Sequence, residues 1–318
     1  MKSFLFNPSV GMLYFAPLVL LFPKNLKVLK KMFDLIIIFG ISYIAIDLLA
    51  VRDLLNPVRS SLESVEVVET FANLSLASGF MLLTYGYHSK KRQLFSLGIM
   101  VICLLLAIIR ARRGLILMNG EILFFSYVLH LIDSKLKLLI IYISILLGLL
   151  AMIYINGIYK PEDSRLFGFI VDRGTEDTRS GVELYFYNDM KTNDWIRGKG
   201  IDGEYFCPNI EEDQKTNYRS VIETGYLQTI LKGGIISLGL FLIIAIPAII
   251  RGIFYSKNML SKAAGIWILM SLINMYPATV NAFTFPYLLV WISIGICYSK
   301  KLRDLPEDFL KKYFRGIT

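Results

Sequence analysis

The sequence predicts an all-α polytopic membrane protein with about nine transmembrane helices and one large extracytoplasmic loop between spans six and seven. Three observations support this fold class. Of the 318 residues, 55% are hydrophobic and only 19% are charged, and the mean hydropathy is +0.56. Apolar segments of membrane length recur along the chain, and one polar segment, residues 160–224, interrupts them. A soluble globule of this size needs more polar surface than the chain has.

The spans follow from the length rule, since a helix needs about 20 apolar residues to cross about 30 Å of hydrocarbon. The predicted spans are Phe4–Phe22, Leu35–Val51, Phe71–Tyr87, Leu94–Ile109, Leu115–Ile132, Leu138–Ile158, Gly225–Ile250, Ala263–Phe283 and Phe285–Tyr298. The first has no small-residue cleavage site and lysines follow it, so we interpret it as a retained span and not as a signal peptide.

These spans divide the chain into four parts: spans one to six in 1–159, the loop in 160–224, spans seven to nine in 225–299 and a basic tail in 300–318. The formal net charge is +9, yet residues 160–225 contain 14 acidic and 9 basic residues. The positive excess therefore lies in the short loops and the tail. Basic loops mark the cytoplasmic side, which places the long loop outside. Positive charge in such loops sets the orientation of the spans and attracts anionic lipid, so we predict no nucleic-acid partner.

One arginine cluster departs from this orientation rule. Alternation of the spans places Arg110, Arg112 and Arg113, between spans four and five, on the outer side. In one interpretation the two spans are divided incorrectly, or the arginines only reach lipid headgroups. In the other, the cluster is a fixed cationic site for an anionic ligand. Guanidinium suits phosphate because it is planar, always charged and bidentate.

Two ionisable residues lie inside predicted spans, where facing lipid is costly. Glu121 lies about two turns beyond Arg113, and Lys232 lies about two turns beyond Glu223. We expect both to face the interior of the helix bundle. Their role is either structural, as a buried pair or polar pocket, or substrate binding.

The long loop contains short candidate elements and no domain with a core of its own. Gly198-Lys199-Gly200 suits a tight turn with positive φ or a close backbone approach. From Asn217 the pattern becomes helical and runs into span seven. On that helix Glu223 is spaced i, i+4 from Arg219, either as a surface ion pair or as a proton acceptor at the outer mouth. We expect the loop to be ordered by docking on the spans.

Three pieces of sequence, in this order, resemble the bacterial O-antigen polymerase and ligase superfamily. They are Arg110-Ala111-Arg112-Arg113-Gly114 opening a span, Arg179 followed by Gly198-Lys199-Gly200, and Glu223-Thr224-Gly225-Tyr226-Leu227 followed by Gly233-Gly234. The resemblance covers about residues 94–250, and the order of the motifs is more specific than any one of them. Ligases of the superfamily often have a histidine where Glu223-Thr224 falls here, which favours a polymerase. About nine spans is fewer than many members have.

The resemblance implies a metal-independent glycosyltransferase that needs no cofactor. It would polymerise oligosaccharide repeat units carried on a polyprenyl diphosphate into O-antigen, capsule or exopolysaccharide, at the outer face of the bacterial cytoplasmic (inner) membrane. Arg113, Arg179 and Glu223 are then the catalytic residues, the arginines for the diphosphate leaving group and Glu223 for the acceptor proton. The predicted substrate-binding residues are Arg110, Arg112, Gly198, Lys199, Gly200, Tyr226, Lys232 and Glu121. Expected partners are the lipid-linked oligosaccharide, membrane lipid, a chain-length regulator and a flippase.

The alternatives are glycan transfer of the ligase type, a transporter or flippase of lipid-linked sugars, and a scaffold protein. A transporter predicts internally repeated halves and broken helices at the midplane, where this sequence has one long outer loop. A scaffold has no reason to place arginines against the orientation rule.

Overall fold

A computed structural model describes residues 13–50, 71–110, 112–134, 180–208, 217–280 and 282–316, with further helical residues at intervals between 137 and 150. Several predictions lie outside the described residues. These are the beginning of span one, the end of span six, the first part of the long loop and, within that loop, Arg179.

The described chain is mostly helical. A 3-10 helix, Ala16–Leu21, precedes α1 (Leu26–Leu49), α2 (Phe71–Leu83), α3 (Lys90–Ile109) and α4 (Arg113–Asp133). Next come α5 (Ser180–Asp189), α6 (Thr192–Arg197) and a pair of two-residue strands, β1 (Tyr205–Phe206) and β2 (Tyr218–Arg219). The chain continues with α7 (Gly225–Phe254), α8 (Met259–Asn274), α9 (Phe285–Tyr298), α10 (Lys300–Arg303) and α11 (Glu307–Arg315).

Four of the described helices, α1, α3, α4 and α7, are long and apolar enough to cross a membrane. Three more, α2, α8 and α9, are shorter apolar helices. The predicted class of helical membrane protein is confirmed at this level, and the count of nine spans stays a prediction. The β1–β2 ladder is the one departure from helical structure among the described elements.

The described residues form two compact units, one of 13–31 and 180–313 and one of 32–150 and 314–316. In the second unit α2, α3 and α4 pack against one another. A Cβ on Gly79 would lie 2.6 Å from Cγ2 of Ile122, so the absence of a side chain lets α2 approach α4 closely. A small core joins Tyr43 of α1 to Ala72 of α2 and to Ile99 and Cys103 of α3.

In the first unit α7 packs against α8 and α9, and α9 also contacts the 3-10 helix. Gly252 of α7 permits this packing, because a Cβ there would lie 2.7 Å from the Ser261 carbonyl oxygen and 2.6 Å from Sγ of Cys297. Small residues at such crossings let membrane helices gain close contact.

Helix α7 is broken at Gly234, whose φ of 67° and ψ of −177° are not helical. Its 30 residues would extend about 45 Å as a continuous helix, more than the hydrocarbon requires. Residues 235–254 alone give about 30 Å. The first part of α7, residues 225–233, can therefore lie outside the hydrocarbon while the second part still crosses it.

The predicted helix from Asn217 to the start of span seven is wrong. Tyr218 and Arg219 form a strand that pairs with Tyr205 and Phe206, and α7 begins only at Gly225. Tertiary contacts explain this start, since the Gly225 amide donates to the carbonyls of Met275 and Ala278, at 2.8 and 3.1 Å. The local sequence pattern favours a helix here, but the pairing of the two strands overrides it, and that pairing cannot be read from the pattern. Arg219 and Glu223 are therefore not on one helix.

Candidate functional site

The described part of the long loop packs on the first half of α7, and we call residues 180–208 and 217–224 the docked segment. One apolar cluster joins the two. It contains Val182, Phe186, Met190, Tyr205, Cys207 and Ile222 from the docked segment, and Leu227, Ile230 and Leu231 from α7. This shared core agrees with the expectation that the loop is ordered by docking on a span.

The backbone of the docked segment meets α7 at the helix break. Gly198 has a φ of 74°, and a Cβ on it would lie 2.6 Å from the Gly233 nitrogen. A Cβ on Gly234 would overlap the Ile196 carbonyl oxygen and lie 2.5 Å from the Arg197 nitrogen. Both positions combine a left-handed φ with a backbone crossing, so only glycine fits without strain. The predicted tight turn with positive φ at Gly198 is confirmed, and Gly200 shares it with a φ of 88°.

Two lysines predicted to bind substrate are engaged within the protein at this junction. The Lys199 amide donates to the Leu231 carbonyl at 2.7 Å, and its ammonium group pairs with Asp189. Lys232 is 3% exposed, and its ammonium group donates to the Gly203 carbonyl at 2.8 Å. Lys232 was expected to face the interior of the helix bundle, and its hydrogen-bond partner is instead a backbone carbonyl of the docked segment. Both lysines hold the 198–203 turn on α7.

The start of α7 carries the predicted proton acceptor. Glu223 is exposed, and the next residue, Thr224, precedes the helix and donates its hydroxyl hydrogen bond to the Glu183 carboxylate. Carboxylates are favourable beside a helix N-terminus. Tyr226, which was predicted to bind substrate, makes a hydrogen bond within the protein, from its hydroxyl to the Leu272 carbonyl at 2.6 Å. The sequence analysis did not single out Glu183. The one feature that could have indicated it is its position in an aromatic run, since its partner Thr224 is 41 residues away in the chain.

Exposed aromatic rings lie on the docked segment, and one of them, Tyr187, is close to Glu183. Tyr187 stacks on Trp195 with 5.9 Å between ring centroids and 14° between planes, and Tyr187 is 47% exposed. Phe206 and Tyr218 form an edge-on pair at 5.7 Å on the β1–β2 ladder. Burial and the nearby charge of Glu183 raise the pKa of Tyr187. Tyrosine and tryptophan side chains combine an apolar ring face with a polar group at the edge. The ring face can pack on the C–H face of a sugar, and the polar group can bind its hydroxyls.

The arginine cluster lies in the second unit, in the short connection between α3 and α4. Arg110 is 5% exposed, and its pKa is lowered by burial and by the neighbouring charge of Arg112. Arg113 begins α4, where a cation opposes the helix dipole. Like charges held together at a helix start would be stabilised by a bound anion. Glu121 is half-buried further along the same helix.

The predicted site residues thus fall into separate groups. Gly198, Lys199, Gly200 and Lys232 meet at the junction, Glu223 and Tyr226 begin α7, Arg110, Arg112, Arg113 and Glu121 lie along the α3–α4 connection and α4, and Arg179 lies outside the described residues. Comparisons with protein-family models, curated proteins and solved structures give no match to this chain. The superfamily stays a prediction that rests on the order of the sequence motifs.

Proposed function

We propose that the protein polymerises polyprenyl-diphosphate-linked oligosaccharide repeat units into a surface polysaccharide on the outer face of the bacterial cytoplasmic membrane. The observation that carries the proposal is the docked segment, which holds exposed aromatic rings and carboxylates against a membrane helix. A lipid-linked sugar presents its glycan close to the membrane surface. Stacking rings such as Tyr187 on Trp195 supply sugar-binding chemistry at the end of α7 that can lie outside the hydrocarbon.

The proposed reaction transfers the growing glycan from one lipid carrier to the sugar of another. The acceptor hydroxyl oxygen attacks the anomeric carbon of the donor, and the bond from that carbon to the diphosphate oxygen breaks. Glu223 accepts the hydroxyl proton, with Glu183 as the neighbouring carboxylate at the start of α7. The polyprenyl diphosphate leaves with the bonding electrons. The resemblance of the sequence motifs assigns the stabilisation of its charge to Arg113 with Arg110 and Arg112.

The break in α7 favours a second candidate, transport of a lipid-linked sugar, because discontinuous helices often form transporter substrate sites. In such sites the freed backbone lines a cavity. At Gly234 the backbone of Ile196 and Arg197 occupies that position. The break is therefore filled by the protein itself, which favours the polymerase.

The test is the surface glycan of a deletion strain complemented with variants. Loss of the protein should leave single repeat units in place of a ladder. Lipid-linked polymer that fails to reach its final acceptor would indicate a ligase, and repeat units held on the cytoplasmic face would indicate a flippase.

Arg113→Lys separates a diphosphate clamp from a simple charge, because lysine keeps the charge and loses the planar fork. We expect this variant to reach the membrane at normal levels and to lose at least nine-tenths of polymerisation, about the tenfold that 1.4 kcal/mol of transition-state stabilisation gives. Arg92→Lys is the matched control, since Arg92 lies in the first turn of α3, at the far end from the cluster, and pairs with Asp34 at 2.8 Å. A normal ladder in Arg113→Lys would remove the clamp from the mechanism.

A further inference from the structure

A pocket of about 360 Å³ lies near the C-terminal end of α7, far along that helix from the docked segment. Pro247, Ile250, Arg251, Tyr255 and Arg303 line it. The walls thus combine two guanidinium groups with apolar side chains of a membrane-spanning helix. Neither arginine belongs to the proposed polymerisation site.

Contacts within the protein hold the side chains of both arginines in place. Arg303 donates from Nη1 to the Tyr255 carbonyl at 2.8 Å, and its Nε is buried without a hydrogen-bond partner among the described residues. Arg251 lies over the ring of Tyr298, with 4.6 Å from Cζ to the ring centroid. Both arginines line the pocket, so their guanidinium groups are the donors that a ligand there would meet. A phosphate provides several acceptor oxygens in the geometry that guanidinium binds.

An apolar stripe leads away from the pocket along α7. Ile246, Ile250 and Phe254 are spaced four residues apart, so they lie on one face of the helix, and all three are exposed. This stripe suits acyl chains, which a free anion does not have. Lys257, Lys300 and Lys301 are exposed nearby in the chain and add positive potential around the pocket.

We propose that this pocket binds the headgroup of an anionic phospholipid, with the phosphate between Arg251 and Arg303 and the acyl chains along the Ile246–Ile250–Phe254 stripe. Basic pockets between membrane helices are a known form of anionic-lipid recognition, and positively charged loops face the leaflet rich in such lipids. This site is independent of the polymerisation proposal. It would fix the depth and tilt of α7, since the headgroup ties one end of the helix to the interface.

The test is a lipid titration of the purified full chain in zwitterionic detergent, followed by melting temperature. Phosphatidylglycerol should raise the melting temperature by mass action, and equal concentrations of phosphatidylcholine or inorganic phosphate should not. Arg251→Gln should keep the lipid-free melting temperature and raise the half-saturating phosphatidylglycerol concentration at least tenfold. Lys301→Gln, which removes the same charge from an exposed position outside the pocket, should titrate like the wild type.

Three results would overturn the proposal. An equal response to phosphatidylcholine would remove the anionic headgroup from the explanation. An equal response to inorganic phosphate would make the ligand a free anion. Equal weakening in Lys301→Gln and Arg251→Gln would mean that surface charge, and not the pocket, attracts the lipid.

Discussion

The junction between the docked segment and α7 gives the sharpest test of the structure, and Gly234→Ala is the variant that addresses it. Gly234 has a φ of 67° and a ψ of −177°, a conformation that residues with a side chain rarely adopt. Its added Cβ would also overlap the Ile196 carbonyl oxygen. Either α7 regains helical geometry and expels the docked segment, or the segment moves away. In both cases the contacts at the break are lost.

The cost can be added from its parts. A side chain in this backbone region costs about 1–3 kcal/mol. Moving the segment also breaks two hydrogen bonds to α7, from the Lys199 amide to Leu231 and from the Lys232 ammonium group to Gly203. Each is worth about 1 kcal/mol. The segment should therefore open more easily by about 3–5 kcal/mol, which is at least a hundredfold in the opening equilibrium.

Native-state proteolysis measures this opening directly, because cleavage follows the open population when reclosing is fast. Trypsin can cut the docked segment at Lys191, Arg197 and Lys199. We expect cleavage of Gly234→Ala in detergent to be about a hundredfold faster than that of the wild type. Gly239→Ala is the control in the same helix, since a Cβ there meets nothing within 4 Å. Equal cleavage rates in the two variants would refute the proposed junction.

Two further predictions concern titration and sugar binding. Burial lowers the pKa of His88 to about 3, whereas a histidine in the unfolded chain titrates near 6.5. Below about pH 6.5 the unfolded chain therefore binds a proton that the folded chain does not. The free energy of unfolding should decrease as the pH drops through this range, by up to about 1.4 kcal/mol per pH unit. His88→Gln should flatten that slope of melting temperature against pH. Tyr187→Leu removes the ring stacked on Trp195 and should reduce polymerisation about tenfold at normal expression, while Tyr185→Leu, on the same helix, should leave the glycan ladder unchanged.

Hydropathy predicted the long helices well where charges mark their ends. The predicted spans Leu94–Ile109 and Leu115–Ile132 lie within α3 and α4, and Gly225 is the first residue of both span seven and α7. Basic residues extend two helices beyond the predicted spans. Helix α1 begins at Leu26, before the expected Leu35, and α3 begins at Lys90, before the expected Leu94. Long basic side chains can reach water from a helix end, so such residues join the helix without entering the hydrocarbon.

The docked segment shows a different limit of sequence reasoning. Glycine spacing indicated the turn at Gly198, since positive φ is a local property. The partner of that turn, the break at Gly234, is a contact between two distant backbones, and no local pattern specifies it. The Thr224–Glu183 hydrogen bond and the Asp189–Lys199 pair have the same origin. Pairing of this kind depends on the fold, so the sequence supplies the residue types and not the partners.

These partners bear on two of the residues that were predicted to bind an anionic substrate. Sequence reasoning placed Lys199 and Lys232 beside the substrate, yet Lys199 pairs with Asp189 and Lys232 is buried against the Gly203 carbonyl. An ammonium group already neutralised or buried gains little from a phosphate, because its present partner would first have to be displaced. In the proposed mechanism the arginines between α3 and α4 bind the diphosphate, and Arg113→Lys is the substitution on which that proposal depends. Gly198 needs no ligand to explain it, since its backbone crossing with α7 at Gly233 and Gly234 already requires a glycine.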